Sequence, residues 1–388
     1  MSDGPLRVPL PEVSDLIAPG EPLPFKVLDA AGRLLLNAGQ VIAGSAQLQA
    51  LLERGACVEY PDVVAVRSAR AAAQAASAPA AATRKRNLHD RWDEQIGSLD
   101  RLLRTLGRDA RQAADIEAFA DGYVELVERD TDLALFHCIR QDDRRFALYG
   151  VRHAMHVATI VLLAARGLAW STDRSRRMVR AALTMNCAIV ELQARMAEQS
   201  DPPSRKQIEQ IQAHPARAAE LLRASGVADA DWLALVHEHH ERAGGGGYPR
   251  ALPEVGDEAR LLRAADVFSA KISPRALRAP LAPQIAARQL FQEDGGGPTA
   301  GALIKAVGIY PPGDFVRLRN GEAAIVACRA RADQAVQVMV LLDAKGRAQP
   351  QAPRRDTALP DYAITGALAE RGGLPRVLPE QVYGLPEP

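Results

Sequence analysis

Four histidines and one aspartate, carried on separate segments, could together bind a divalent cation: His153, His214, His239, His240 and Asp266. The densest segment is VHEHHERAGGGGYPR, Val236 to Arg250, in which three histidines and two glutamates fill five positions and four glycines and Tyr-Pro follow. Clustered imidazole favours metal binding, and consecutive glycines favour close backbone approach. His153 starts a helical segment. His214 precedes Pro215, and a residue before proline avoids the α region, so it is expected at or before a helix start. Asp266 sits in the apolar stretch RLLRAADVFSA, where a buried carboxylate requires a cation or several donors. Side chains from separate helices meeting in a bundle core are a common way to build a metal site. Adjacent His239 and His240 point about 100° apart on a helix. They would serve two metals or two sides of one cluster. His89-Asp90 reads as a solvated helix cap and His137 as a core histidine. His156 and His237 each share a face with a candidate ligand and read as structural or solvent-facing.

The elements that must position these groups are mostly helical. From Leu88 to about residue 294, segments such as HAMHVATIVLLAARGL, PARAAELLRASG and DADWLALVHEHHERAG place apolar residues at three- and four-residue intervals, and several end in glycine. The composition agrees: 47% apolar, only 4% aromatic, and rich in alanine, which suits closely packed helices. The fold class expected is mostly α, a helical bundle with a small N-terminal β-rich module and a short C-terminal β-hairpin. The module covers 1–66, where PFKVLDAAGRLLLNAGQVI reads strand, turn, strand and CVEYP closes. Residues 67–87, rich in Ala, Ser and basic residues, read as a linker. A helical connector spans 88–135, the main domain 136–348, and an irregular tail 349–388. DFVRLRNGEAAIVAC carries the Asn-Gly turn of the hairpin.

A net charge of +1 gives no field that would select nucleic acid or an anionic membrane. The four cysteines are scattered without paired spacing and read as reduced thiols. The longest apolar segment, ATIVLLAARGLAW, is too short to span a bilayer. A cytoplasmic location with no membrane partner is the expectation.

Read in order, these segments resemble the HD-GYP phosphodiesterases of bacterial cyclic di-GMP signalling over roughly residues 140 to 345. HHERAGGGGYP is similar to the family's HHE-x-x-D-G-x-G-Y-P, QAHPARAAELL to its H-P helix, ARLLRAADVFSA to its late-aspartate stretch, PRALR to its R-P-Y-R segment, and VGIYPPGDFVRLRNGEAAIV to its closing run. The resemblance implies an HD-type helical bundle around a di- or trinuclear iron or manganese centre that activates water against a phosphodiester. It implies His153, His214, His239, His240 and Asp266 as metal ligands, Tyr248 in a loop facing substrate or a signalling partner, and Arg275 and Arg278 facing phosphates.

The match breaks at the H-D-x-G-K segment. Here AALTMNCAI places Met185, Asn186 and Ile189 at the histidine, aspartate and lysine positions. A neutral amide cannot supply a bridging negative charge, and a thioether suits hard iron or manganese poorly. Tyr149 stands where many members carry a further glutamate, Gly244 where an aspartate is usual, and Ser269 where a second aspartate follows Asp266. No catalytic residue is therefore assigned. The expected cofactor is one divalent metal, iron or manganese, or none. The expected role is a degenerate HD-GYP-type regulatory module that binds cyclic di-GMP or a related nucleotide, or a signalling protein. The alternatives are a residual metal-dependent phosphodiesterase and a platform for oligomerisation.

Overall fold

The computed structural model describes residues 7–17, 20–42, 45–59, 61–63, 65–66, 87–141, 146–349, 352–368, 374 and 377–384. The linker expected at 67–87 lies, except for its last residue, outside the described residues. The chain divides into two compact units, Met1–Lys85 and Arg86–Pro388.

In the first unit, β1 (Arg7–Pro9), β2 (Val27–Leu28), β3 (Leu34–Leu36) and β4 (Cys57–Glu59) form an antiparallel sheet in the order β1-β4-β2-β3. The helix α1 (Ser45–Glu53) precedes β4. Leu10, Val13, Phe25, Val27, Ile42 and Val58 make its core. Strand β1 escapes the sequence pattern because it is a three-residue edge strand ending in proline.

The second unit is a helical bundle: α2 (Leu88–Thr105), α3 (Gln112–Arg129), α4 (Thr131–Ile139), α5 (Tyr149–Gly167), α6 (Thr172–Thr184), α7 (Val190–Glu198), α8 (Arg205–Ala224), α9 (Ala230–Glu238), α10 (Asp257–Ile272), α11 (Pro283–Glu293) and α12 (Pro298–Val307). Local chemistry sets several starts. Asn87 with Asp90, and Ser204 with Gln207, form capping boxes at α2 and α8, and Asp229 caps α9. Helix α5 is apolar nearly all round and runs through the centre, packed by α6, α10 and α12. The segment Phe146–Gly167 is long and apolar enough to cross a membrane, but 72% of its apolar window is buried inside the protein, as a core helix would be. A corner between α6 and α7, containing the 3-10 turn Cys187–Ile189, is held by Trp232, whose indole N–H donates to Thr184 Oγ1 at 3.1 Å.

The expected C-terminal hairpin is β5 (Phe315–Leu318) and β6 (Ala323–Cys328), and it belongs to a larger antiparallel sheet. With β7 (Gln337–Leu342), β8 (Arg354–Asp356) and β9 (Ile364–Ala367) the order is β8-β7-β6-β5-β9. This corrects the reading of 349–388 as an irregular tail. Both β8 and β9, and the short helix α13 (Pro379–Tyr383), come from it. The strands are too short to show an alternation and gain their order by pairing with β7 and β5.

Asp132 ties this sheet to the bundle. It is 2% exposed and bridges Arg329 at 2.8 Å and Arg331 at 3.0 Å. Tyr383 on α13 adds hydrogen bonds to the carbonyls of Ala327 and Asp132. Asp132→Ala would leave Arg329 half-buried without its counter-charge, and is expected to cost about 3 kcal/mol. Urea unfolding of the two proteins measures it.

Candidate metal centre

Helices α5, α8, α9 and α10 bring the five candidate ligands to one cavity. Its volume is about 150 Å³, and His153, His214, His240 and Asp266 are among the residues that line it. His239, with no exposed surface, stands directly behind.

His214 lies inside α8 and does not precede it, because the helix runs through Pro215. The expected helix start is corrected for a specific reason. Proline has no N–H to give the carbonyl four residues back, that of Ile211. The imidazole of His214 donates Nδ1–H to Ile211 O instead, at 2.5 Å. The ring thus repairs the helix and is aimed by the repair. His239 is set in the same way at the end of α9. Its Nδ1–H donates at 2.7 Å to the carbonyl of Val236, in the last turn, where helix carbonyls lose their partners.

Both rings therefore present Nε2 as a lone pair, and the two Nε2 atoms face each other at 3.1 Å. Burial pushes His214 down to about 4, with His240 adding to it. Burial, then His240 and His214, hold His239 well below its ordinary value. Neither ring carries a second proton at neutral pH. Two lone pairs this close repel unless a cation lies between or beside them, and ligating histidines commonly donate their other N–H to a carbonyl. The donor set fits a metal ion. Ligand atoms of His214, His239 and His240 all lie within 4.8 Å of one another. Adjacent His239 and His240 both lie in this group, with ring centroids 4.1 Å apart.

The other two candidates pair with each other. His153 Nε2–H donates to Asp266 Oδ1 at 2.7 Å, and Ser269 Oγ donates to His153 Nδ1 at 3.3 Å. Asp266 Oδ2 lies 4.0 Å from His240 Nδ1 and so links the pair to the cluster. Burial acts to raise the Asp266 pKa. The hydrogen bond from His153 and the nearby imidazoles outweigh it and hold the carboxyl below the usual range.

The remaining sequence candidates divide. Arg275 lines the cavity, donates Nε–H to Tyr149 Oη at 2.9 Å, and lies beside the Tyr149 ring, which stacks on His153. Arg278 is exposed, is not among the residues lining the cavity, and donates to the carbonyl of Ala270, which is, at 2.7 Å. Tyr248 stacks on His240 with centroids 4.6 Å apart, and burial raises its pKa above the ordinary value. Of the three residues at which the resemblance breaks, Asn186 and Ile189 line the cavity, whereas Met185 packs in the bundle core with no exposure. The amide nitrogen of Asn186 and the amide oxygen of Gln193, both on this wall, have no partner among the described residues.

Glu241 is the residue sequence reasoning passed over. It is 1% exposed and accepts the backbone N–H of Arg250 at 2.6 Å and of Leu252 at 3.0 Å. The glycine run is therefore clasped and is no loose loop. Gly244 and Gly245 adopt positive φ, and a Cβ at Gly247 would lie 2.3 Å from the Arg242 nitrogen. The signal was a glutamate directly after the paired histidines.

Pro215→Ala would restore a backbone donor to Ile211 O and release His214 to turn. Metal affinity is expected to fall about 10–100-fold, the range for losing a hydrogen bond that orients a ligand. Competition with a chromogenic chelator measures it, and circular dichroism should show helix content preserved.

Residues 127–296 match the family model of the HD domain. Over 120 residues the chain is 32% identical to a cyclic di-GMP phosphodiesterase of Pseudomonas aeruginosa, a match covering 30% of this chain and 29% of that protein. The chain thus spans under a third of the length of that curated relative. Among solved structures, an HDG"Y"P protein from Bdellovibrio bacteriovorus superposes with a TM-score of 0.46 at 16% identity, over 78% of this chain and 99% of that one.

Proposed function

We propose that this chain, whose residues 127–296 match the HD domain, is an HD-GYP-like member of the HD superfamily and a cyclic di-GMP-linked regulatory module that holds one divalent ion and binds the nucleotide with little or no turnover. The observation that carries this reading is the cavity wall made by the corner after α6, where Asn186 and Ile189 stand. An amide and an aliphatic side chain bring no negative charge to hold a second cation and no positive charge for a phosphate.

The residues that would hold the ion are His214, His239 and His240, with Asp266 beside them; His153, both of whose ring nitrogens are engaged by Asp266 and Ser269, would join only by giving up one of those bonds. Imidazoles outnumber carboxylates, which favours iron over manganese. A bound ion would supply Lewis acidity toward a phosphoryl oxygen. The chain's own contributions are distinct. Asp266 keeps His153 oriented. Arg275, steadied by Tyr149, offers a guanidinium to a phosphate. The buried amide nitrogen of Asn186 is a donor facing the same space. A cavity of about 150 Å³ falls below the ~300–1,000 Å³ of sites that engulf a small molecule. One phosphodiester of a cyclic dinucleotide would enter, and the bases would remain outside. Tyr248, behind His240 on the clasped loop, offers a surface through which a signalling partner could read the site.

Elemental analysis of the purified chain, followed by calorimetry and a turnover assay with cyclic di-GMP, tests this reading. About one metal per chain and binding without hydrolysis are expected. Two metals with sustained hydrolysis would instead establish the residual phosphodiesterase. Absence of both metal and nucleotide binding would leave the bundle as a platform for assembly.

A further inference from the structure

A cavity of about 460 Å³ opens where the end of α2, the corner leading into α7, and α8 meet. That volume lies within the ~300–1,000 Å³ of small-molecule sites. Its exposed rim carries four arginines from separate segments: Arg104 on α2, Arg108 in the loop that follows, Arg195 on α7 and Arg217 on α8. The lining includes one acidic residue, Glu191, which is already taken by Arg104 at 3.0 Å. Arg104 is held from its other side by Asp100 at 2.9 Å. The guanidinium groups of Arg108, Arg195 and Arg217 have no hydrogen-bond or ion-pair partner among the described residues.

Elsewhere on the bundle several arginines find carboxylates: Arg166 bridges Glu128, Arg174 bridges Glu258 and Arg177 bridges Asp231. The chain as a whole carries 48 basic and 47 acidic residues. Three unmatched cations around one concavity are therefore a local excess, and a cleft lined by one sign of charge concentrates counter-ions. The rim is also fixed in place. Gly107 adopts a φ of +82°, its N–H donates to Ser225 Oγ at 2.8 Å, and a Cβ there would lie 3.0 Å from Leu221 Cδ2. The loop bearing Arg108 is thus fastened to the helix bearing Arg217 by a close approach that only glycine permits. Below the cations the cavity is apolar: Leu106, Ile189 and Val190 line it and are each at least nine-tenths buried.

We propose that this cavity binds a nucleoside di- or triphosphate, its phosphoryl oxygens taken by Arg108, Arg195 and Arg217 and its base and sugar laid on the apolar floor. A guanidinium fork matches phosphoryl oxygens two at a time and also stacks on a flat ring. Three unpaired guanidinium groups suit a chain of phosphates better than a single one, and the floor gives an organic body apolar surface to cover. The cavity shares only Ile189 with the candidate metal cavity, so the inference stands whether or not a metal is bound.

Calorimetric titration of the full chain, stripped of metal on a chelating resin, with GDP, ADP, pyrophosphate and guanosine as probes tests it. At least one nucleotide should bind, and more tightly than pyrophosphate or guanosine. Arg108→Gln, Arg195→Gln and Arg217→Gln should each weaken that binding about tenfold, the fold-change for one lost charge-assisted hydrogen bond. All three side chains are exposed and lie on separate segments, so the variants should fold as the parent does, which circular dichroism checks. Arg205→Gln, on α8 outside the cavity and bridged to Glu209, removes the same charge and should leave binding unchanged. No binding of GDP or ADP at millimolar concentration would overturn the proposal. So would pyrophosphate or guanosine binding as tightly as the nucleotides, or an equal loss in Arg205→Gln, which would mark attraction by overall charge in place of a site.

Discussion

Asn186→Asp is expected to raise metal content from one to two ions per chain and cyclic di-GMP hydrolysis by about 100-fold or more. The change is isosteric: an amide becomes a carboxylate at a position that lines the cavity and is only 4% exposed. Loss of a group that merely orients a ligand costs about 10–100-fold, so supplying a charged ligand should do at least as much. A second signature follows from burial. Without metal, the added carboxylate is an unpaired buried charge, and the variant should be less stable than the parent by a few kcal/mol. Adding iron or manganese should reverse the sign of that difference, since a ligand bound only by the native state stabilises it. Metal content by elemental analysis, turnover of the dinucleotide, and thermal unfolding with and without metal give three independent readings. If the variant keeps one ion and gains no turnover, the amide is not what limits the site.

In chelator, the protein should lose at least about 3 kcal/mol of stability between pH 6.5 and pH 5. His137 is pushed down to about 3, by burial first and then by His89 and Arg152, and His214 to about 4. In the unfolded chain both return to about 6.5. Below pH 6.5 the unfolded state therefore takes up protons that the native state refuses, and stability falls as pH falls. The slope for each site rises from about half of 1.4 kcal/mol per pH unit at pH 6.5 to about 1.4 at pH 5, which gives about 1.6 kcal/mol per histidine over this window. His156 and His239 are depressed as well and act in the same direction. Asp266, also depressed, contributes stability that is lost only at lower pH, through the carboxylate range. Set against typical domain stabilities of 5–15 kcal/mol, this makes the metal-free chain acid-labile. Urea denaturation at pH 7, 6 and 5 measures the effect; a flat profile would mean that these imidazoles are not held neutral.

What could be read from the sequence was local. The helical periodicity of α5, α8 and α10, and the small sheets flanking a mostly α chain, follow from spacing and turn residues within a few positions of one another. So does the grouping of His239, His240 and Glu241. What could not be read depends on distant partners. His89 is no solvated cap: it is 5% exposed and bonded to Gly384, 295 positions away, while Asn87 and Asp90 do the capping. Pro215 inside α8 contradicts a sound local rule, because a side chain supplies the donor that the backbone lacks. Strands β8 and β9 exist through their neighbours. Glu241 was visible in the motif, but its role needed the loop to fold back onto it.

Helix α5 sends His153 to the candidate metal cavity and His156, a single turn later, to another of about 260 Å³ between α2, α4 and the α13 segment. It is buried along nearly its whole length, and close-packed interiors pass displacement on without absorbing it. Such a rod cannot tilt or slide to suit an occupant on one side without re-aiming a side chain on the other. By thermodynamic reciprocity, whatever tightens one chamber through that movement must be tightened or loosened by the other to the same degree. The molecule thus has the layout of a balance beam, with its two pans one helical turn apart.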